Sequence, residues 1–200
     1  MNGEVLRRLY IEDGKSSFEI AKVFNCSEHK INYWLLKYSI PKRSISEAIY
    51  NKNNPDGDPF KIKPIRTQND AKLLGLGLGL YWGEGNKKNK NSIRLGNTDP
   101  AIIREFIRFL IRIFGIKKEK LRFGLQIFSD LFKEVTLNFW LKELKEFGIN
   151  KNQFFKVIIT PSRSLGNYRE KSKWGVMTVH FANTKLKNLI DSYIAEVAQR

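Results

Sequence analysis

Apolar residues recur at every third or fourth position in residues 4 to 12 (EVLRRLYIE), 16 to 24 (SSFEIAKVF) and 27 to 38 (SEHKINYWLLKY), which predicts three short helices. Asp13-Gly14 ends the first, Asn25-Cys26 makes a turn after the second, and Pro41 stops regular structure after the third. Ser16 or Ser17, and then Ser27, stand where helix N-caps belong. Residues 51 to 70 gather Asn, Asp, Gly and three of the six prolines, which suits neither a helix nor an inner strand. Residues 1–48 therefore read as a small all-α module, 49–69 as a linker and 70–200 as a larger domain.

In that larger part the pattern predicts a helix over 70–84, a strand over 92–97 and a helix from Pro100 to Phe114 capped by Thr98 or Asp99. A strand near 121–128, a helix near 130–147, strands near 154–160 and 174–182, and a last helix from Thr184 follow. The class is α+β. Residues 109–123 and 140–156 also echo one another at a spacing of 33, aligning Phe114-Gly115-Ile116 on Phe147-Gly148-Ile149. Each copy reads as a helix stopped by glycine, then a basic turn (Lys117, Lys118 and Lys120, or Lys151), then a strand.

The first three helices carry a more specific signal. A helix-turn-helix needs a small residue where its two helices cross, a turn four residues later, and an apolar seal six residues beyond. Ala21, Asn25 and Ile31 have that spacing, with Ile20, Phe24, Trp34 and Leu35 as core, and Asn25 suited to a left-handed turn. The third helix would then enter the major groove of DNA, presenting His29, Lys30, Asn32 and Tyr33 at its start. Asn32 suits adenine, while Lys30 and Lys37 suit phosphates.

Charge supports a polyanionic partner. The formal net charge is +16, and residues 71–200 carry 24 basic against 11 acidic side chains, most of that excess. No apolar run is long enough to span a bilayer, so nucleic acid leads over membrane. The single cysteine, Cys26, excludes an internal disulfide and fits a reducing, cytoplasmic setting, associated with the nucleoid when DNA is bound.

LLGLGLGLYWGEGNKKNK, residues 73–90, departs from every ordinary pattern. Glycines at 75, 77, 79 and 83 inside a helix cost roughly 4 kcal/mol together relative to alanine. Gly75, Gly79 and Gly83 fall on one stripe that would let a second backbone approach closely, while Leu73, Leu76 and Leu80 form a stripe for the chain's own core. Glu84 then opposes the helix dipole in the last turn, ahead of Gly85 as a stop and beside Lys87, Lys88 and Lys90. Two such helices packed along the glycine stripe would bring two carboxylates together, an arrangement suited to Mg²⁺.

GLGLYWGEG, residues 77–85, is similar to the motif that names the LAGLIDADG homing endonucleases. The following SIRLGNTDP, the helix ending in FGI, and GVMTVHFANTKLKNLI resemble that family's order of helices and saddle strands, so the similarity covers about residues 70–197. Trp82 replaces the usual first acid, the first strand pair is reduced, and the helix over 130–147 is extra. The resemblance implies a saddle-shaped antiparallel sheet backed by helices, a homodimer with Gly79 and Gly83 as interface small residues, and Glu84 as ligand of Mg²⁺ or another divalent cation. Double-stranded DNA would lie on the sheet and meet Arg94, Arg122 and, from the alternating strands, Gln126, Lys156 and His180. Gln126 or Lys156 would tune the metal site as further catalytic residues, with metal-dependent phosphodiester cleavage as the activity. Residues 161–173, with Arg163 and Arg169, read as a loop that orders on a phosphate backbone. The family also includes regulators that bind DNA through this scaffold without cutting it, which is the alternative reading. RNA binding through Tyr168-Arg169 and Lys173-Trp174 is a third.

Overall fold

The computed structural model describes residues 1–162 and 172–199. The chain divides into two compact units, Met1–Pro59 and Phe60–Arg200.

The first unit opens with α1 (Gly3–Arg7), which continues through a π-helical turn over Arg8–Glu12, and follows it with α2 (Ser17–Val23) and α3 (Glu28–Lys37). Their apolar faces close a core of Leu6, Ile20, Ala21, Ile31, Leu35 and Ile40. Of the two candidate caps for α2, Ser16 holds the position, and its reciprocal bonds with Glu19 complete a capping box. Ser27 caps α3. Asn25 adopts the left-handed turn its position requires, at φ +47°. A fourth helix, α4 (Ile45–Asn53), is absent from the sequence reading, which ran the linker from residue 49. It buries no residue, and its short apolar spacing, Ile45, Ala48 and Ile49, stays exposed. Its signature is local: Ser44 and Glu47 form a second capping box, visible in SISE.

The second unit begins earlier than the sequence suggested. The Lys61 N–H donates to the Phe114 carbonyl at 2.8 Å and the Lys63 N–H to that of Ile113 at 2.9 Å, so part of the expected linker is stitched to the larger unit. The unit then runs α5 (Gln68–Glu84), β1 (Ile93–Asn97), α6 (Pro100–Phe114), β2 (Arg122–Phe128), α7 (Lys133–Glu143), β3 (Ile158–Thr160), β4 (Val176–Phe181) and α8 (Thr184–Ala198). Asp99, not Thr98, caps α6. The strands form one mixed sheet in the order β1-β4-β2-β3, an α+β architecture. Alternation sends Ile93, Leu95, Phe123, Leu125, Met177 and Val179 into the core, where they join Phe106, Phe109 and Phe114 of α6.

One pairing corrects the expected all-antiparallel sheet: β3 runs parallel to β2, with Gln126 opposite Ile158. The 33-residue echo explains it. Gly115 and Gly148 are both left-handed helix stops, at φ +52° and +68°, and each leads into a short 3₁₀ turn, Lys118–Lys120 and Lys151–Gln153. Two helix-stop-strand units repeated in the same sense bring their strands out in the same direction, and α7 serves as the crossover that a parallel pair needs. The second strand is shorter than its sequence pattern, with three residues where seven were expected.

Candidate nucleic-acid interface

The buried face of α5 is Leu73, Gly77 and Tyr81, a stripe at i, i+4 and i+8. Of the stripe expected to face the core, Leu73 is buried and Leu80, half-buried, packs against the core, but Leu76 is 47% exposed. The reason is Gly77. A methyl group there would come within 2.1 Å of the Phe109 ring, so the bare backbone lets α6 approach too closely for leucine at that point. At Gly75, Gly79 and Gly83 a methyl group would meet nothing within 4 Å. Together with Leu76 and Trp82, both 47% exposed, they give α5 a second, apolar face that the described residues leave uncovered.

The end of α5 is tied to the sheet. Gly85 bridges to Leu95, and the Asn86 N–H donates to the Arg94 carbonyl at 2.8 Å. Gly85 is extended at φ −72°, so it is not a left-handed stop. Glycine is required there because the Tyr81 carbonyl and ring would lie 2.4 Å from a Cβ. Below this turn Tyr81 is fully buried, burial and the nearby Asp191 carboxylate push its phenol up to about 12, and its hydroxyl donates to the Asn86 carbonyl at 3.3 Å. The Lys187 ammonium, 5.6 Å from the Tyr81 ring centre, pairs with Asp191. Glu84 is thereby carried, exposed, to the rim of the open face of the sheet.

That open face is a register of polar and small residues. Arg94 on β1 is opposite His180 on β4, which is opposite Arg122 on β2. One step along, Gly96, Thr178 and Gly124 form the next row. Glu84, Asn86, Lys87, Lys88, Arg94, Gly96, Thr178 and His180 line an open groove of about 660 Å³. Burial and the Arg94 guanidinium hold the His180 imidazole below the ordinary histidine range. Among the described residues that line the groove Glu84 is the single acid, beside Lys87, Lys88 and Arg94.

The other residues marked by the sequence fall in several places. Gln126 is on the open face but farther along β2, and its amide donates to the Thr160 hydroxyl at 3.0 Å. Lys156 is exposed in the segment before β3. Neither lines the groove with Glu84. Lys90 is exposed in the loop before β1. On α3, His29, Lys30, Tyr33 and Lys37 are exposed and Asn32 is half-buried, with the Lys37 ammonium 4.7 Å above the Trp34 ring. Arg163, Arg169 and most of the 161–173 loop lie outside the described residues. Trp174 stacks on Phe139 with ring centres 4.1 Å apart, so its own chain occupies the ring proposed above for RNA. Asn86, Gly96 and Thr178 were missed; the alternation of VMTVHF could have paired Thr178 with His180.

A hard divalent cation needs about six oxygen ligands. One chain brings one carboxylate to the groove, and among the described residues no three His, Cys, Asp or Glu side chains cluster. Glu84 by itself therefore supplies only one of the ligands such a cation needs. No helix among the described residues is long and apolar enough to cross a membrane. Compared with protein-family models, curated proteins and solved structures, the chain matches none.

Proposed function

We propose that the protein binds double-stranded DNA as a homodimer and cleaves it with a divalent cation, in the manner of the LAGLIDADG endonucleases that residues 77–85 resemble. The observation that carries this reading is the position of Glu84. It stands at the end of a helix whose Gly75, Gly79 and Gly83 face is bare, on the rim of a sheet face that holds Arg94, Arg122 and His180. A second copy seated on the bare face would bring its own Glu84 beside the first. Lys87, Lys88 and Arg94 would hold the phosphates that flank the pair and offset their charge. Mg²⁺, bound by the two Glu84 carboxylates and the phosphate, would supply an activated water and stabilise the leaving oxygen. The first unit adds a half-site, with the start of α3 in the major groove. Gln126 and Lys156, away from the groove within one chain, fit DNA contacts along the sheet.

One observation favours a second reading, a DNA-binding regulator that does not cut: among the described residues the groove holds a single acid among cations. A supercoiled-plasmid assay with Mg²⁺, run beside a gel-shift assay on the same DNA, separates the two. Cleavage by the wild-type chain that is lost in Glu84→Gln, with binding retained, supports the endonuclease. Salt-sensitive binding by the wild type without any strand scission supports the regulator. Absence of DNA binding at low salt sinks both.

A further inference from the structure

His180 is seated for a role that neither a buried structural histidine nor a surface one would need. It lies between two arginines in one row across three strands, Arg94 on β1 and Arg122 on β2. Its ring is fitted to its neighbours: Nε2 lies 3.3 Å from where a Cβ on Gly124 would be, and Phe155 packs against it edge to face with ring centres 5.3 Å apart. Glycine at 124 thus leaves room for an imidazole on a face that would otherwise be crowded. Arg94 is steadied by donating from Nε to the Ser92 hydroxyl at 2.8 Å, and Arg122 by donating from Nη1 to the Glu119 and Leu121 carbonyls at 2.6 and 2.8 Å. Each guanidinium keeps further N–H groups for another acceptor.

A third permanent cation in that row would repel its neighbours whenever the face is empty. A histidine avoids this by being neutral until an anion arrives. We propose, on the basis of the DNA-binding reading above, that Arg94, His180 and Arg122 form a phosphodiester-binding row in which the arriving phosphate draws a proton onto His180. The anion favours the imidazolium, and the imidazolium donates to the anion, so each stabilises the other. The charged groups around the ring fit this coupling. The Arg94 guanidinium disfavours its protonation in the free protein. Lys87, Lys88 and the Glu84 carboxylate line the same groove. Phe155, from the segment before β3, brings no charge.

The consequence is proton-linked binding. Free His180 titrates below the ordinary range of 6.5, because burial and Arg94 disfavour its charge. Bound to phosphate it titrates higher. In the window between the two midpoints the complex carries a proton that the free protein lacks, so affinity rises as pH falls, by up to about tenfold per pH unit for one proton. Above and below that window the dependence is flat.

The chain has two histidines, which makes the test clean. Fluorescence anisotropy of a labelled duplex, at constant ionic strength from about pH 8 to about pH 5.5, brackets histidine titration. The wild type should bind more tightly as pH falls; His180→Gln should lose that slope but keep its salt dependence. NMR titration of the His180 ring in the wild type, with and without duplex, should show its midpoint move up in the complex. A flat wild-type profile, a slope that survives in His180→Gln, or an unmoved midpoint each overturns the proposal. Duplex binding with a flat profile refutes the proton linkage alone, whereas no duplex binding at any pH refutes the proposed function with it.

Discussion

Gly77 of α5 packs directly on the Phe109 ring of α6: a single methyl group on Gly77 would sit 2.1 Å from the ring. Glycines two positions away on either side, Gly75 and Gly79, face open space. Four glycines that looked alike in the sequence therefore have two different physical causes. Gly77→Ala should destabilise the protein by about 1–3 kcal/mol through overpacking. Gly79→Ala should stabilise an isolated chain by up to about 1 kcal/mol through helix propensity. Urea denaturation at low protein concentration checks both signs.

Bulk on the open face should act on assembly and leave folding alone. A Cβ at residue 79 meets no described atom within 4 Å, so in Gly79→Leu the circular dichroism and melting temperature of dilute protein should change little. On the proposed reading, analytical ultracentrifugation should show a wild-type dimer and a Gly79→Leu monomer, because a leucine there would hold the two backbones apart. A wild type that is monomeric at high concentration and on DNA would remove the basis for paired Glu84 carboxylates.

The two helix-stop glycines should differ in cost. Both have positive φ, so alanine at either costs about 1–2 kcal/mol in backbone conformation. At Gly115 the new methyl would also stand 2.7 Å from the Lys61 carbonyl oxygen, which is held by the backbone bond to α6. At Gly148 it would meet only the mobile end of Lys118, at 3.2 Å. Gly115→Ala should therefore be the more destabilising of the pair in equilibrium unfolding.

Tyr81 makes a prediction at alkaline pH. Its folded-state value of about 12 lies above its ordinary value of 10, so the folded protein holds the phenolic proton more tightly than the unfolded chain does. The stability this contributes is fully present below pH 10 and is lost as pH rises through about 12. Tyr81→Phe should flatten that part of the stability profile. Ultraviolet difference spectra of the wild type should show one tyrosine that ionises later than the rest.

Much of this protein is legible in its sequence because the interactions concerned are local. The cap at Ser27, the cap candidates Ser16 or Ser17 and Thr98 or Asp99, the left-handed turn at Asn25, the helix stops at Gly115 and Gly148, and the alternation that puts Arg94, Arg122 and His180 on the open side of their strands all follow from neighbours a few positions apart. The 33-residue echo was legible too, although not its result, the parallel pairing of β2 with β3. Tertiary structure alone decided which side of α5 is buried, since Gly77 looks like its neighbours until Phe109 is packed against it. It also decided that Glu84, Arg94 and His180 share one groove while Gln126 and Lys156 lie apart from it. Local patterns state which way a side chain points from its own element; only the register between strands and the approach of one helix to another state what it then meets.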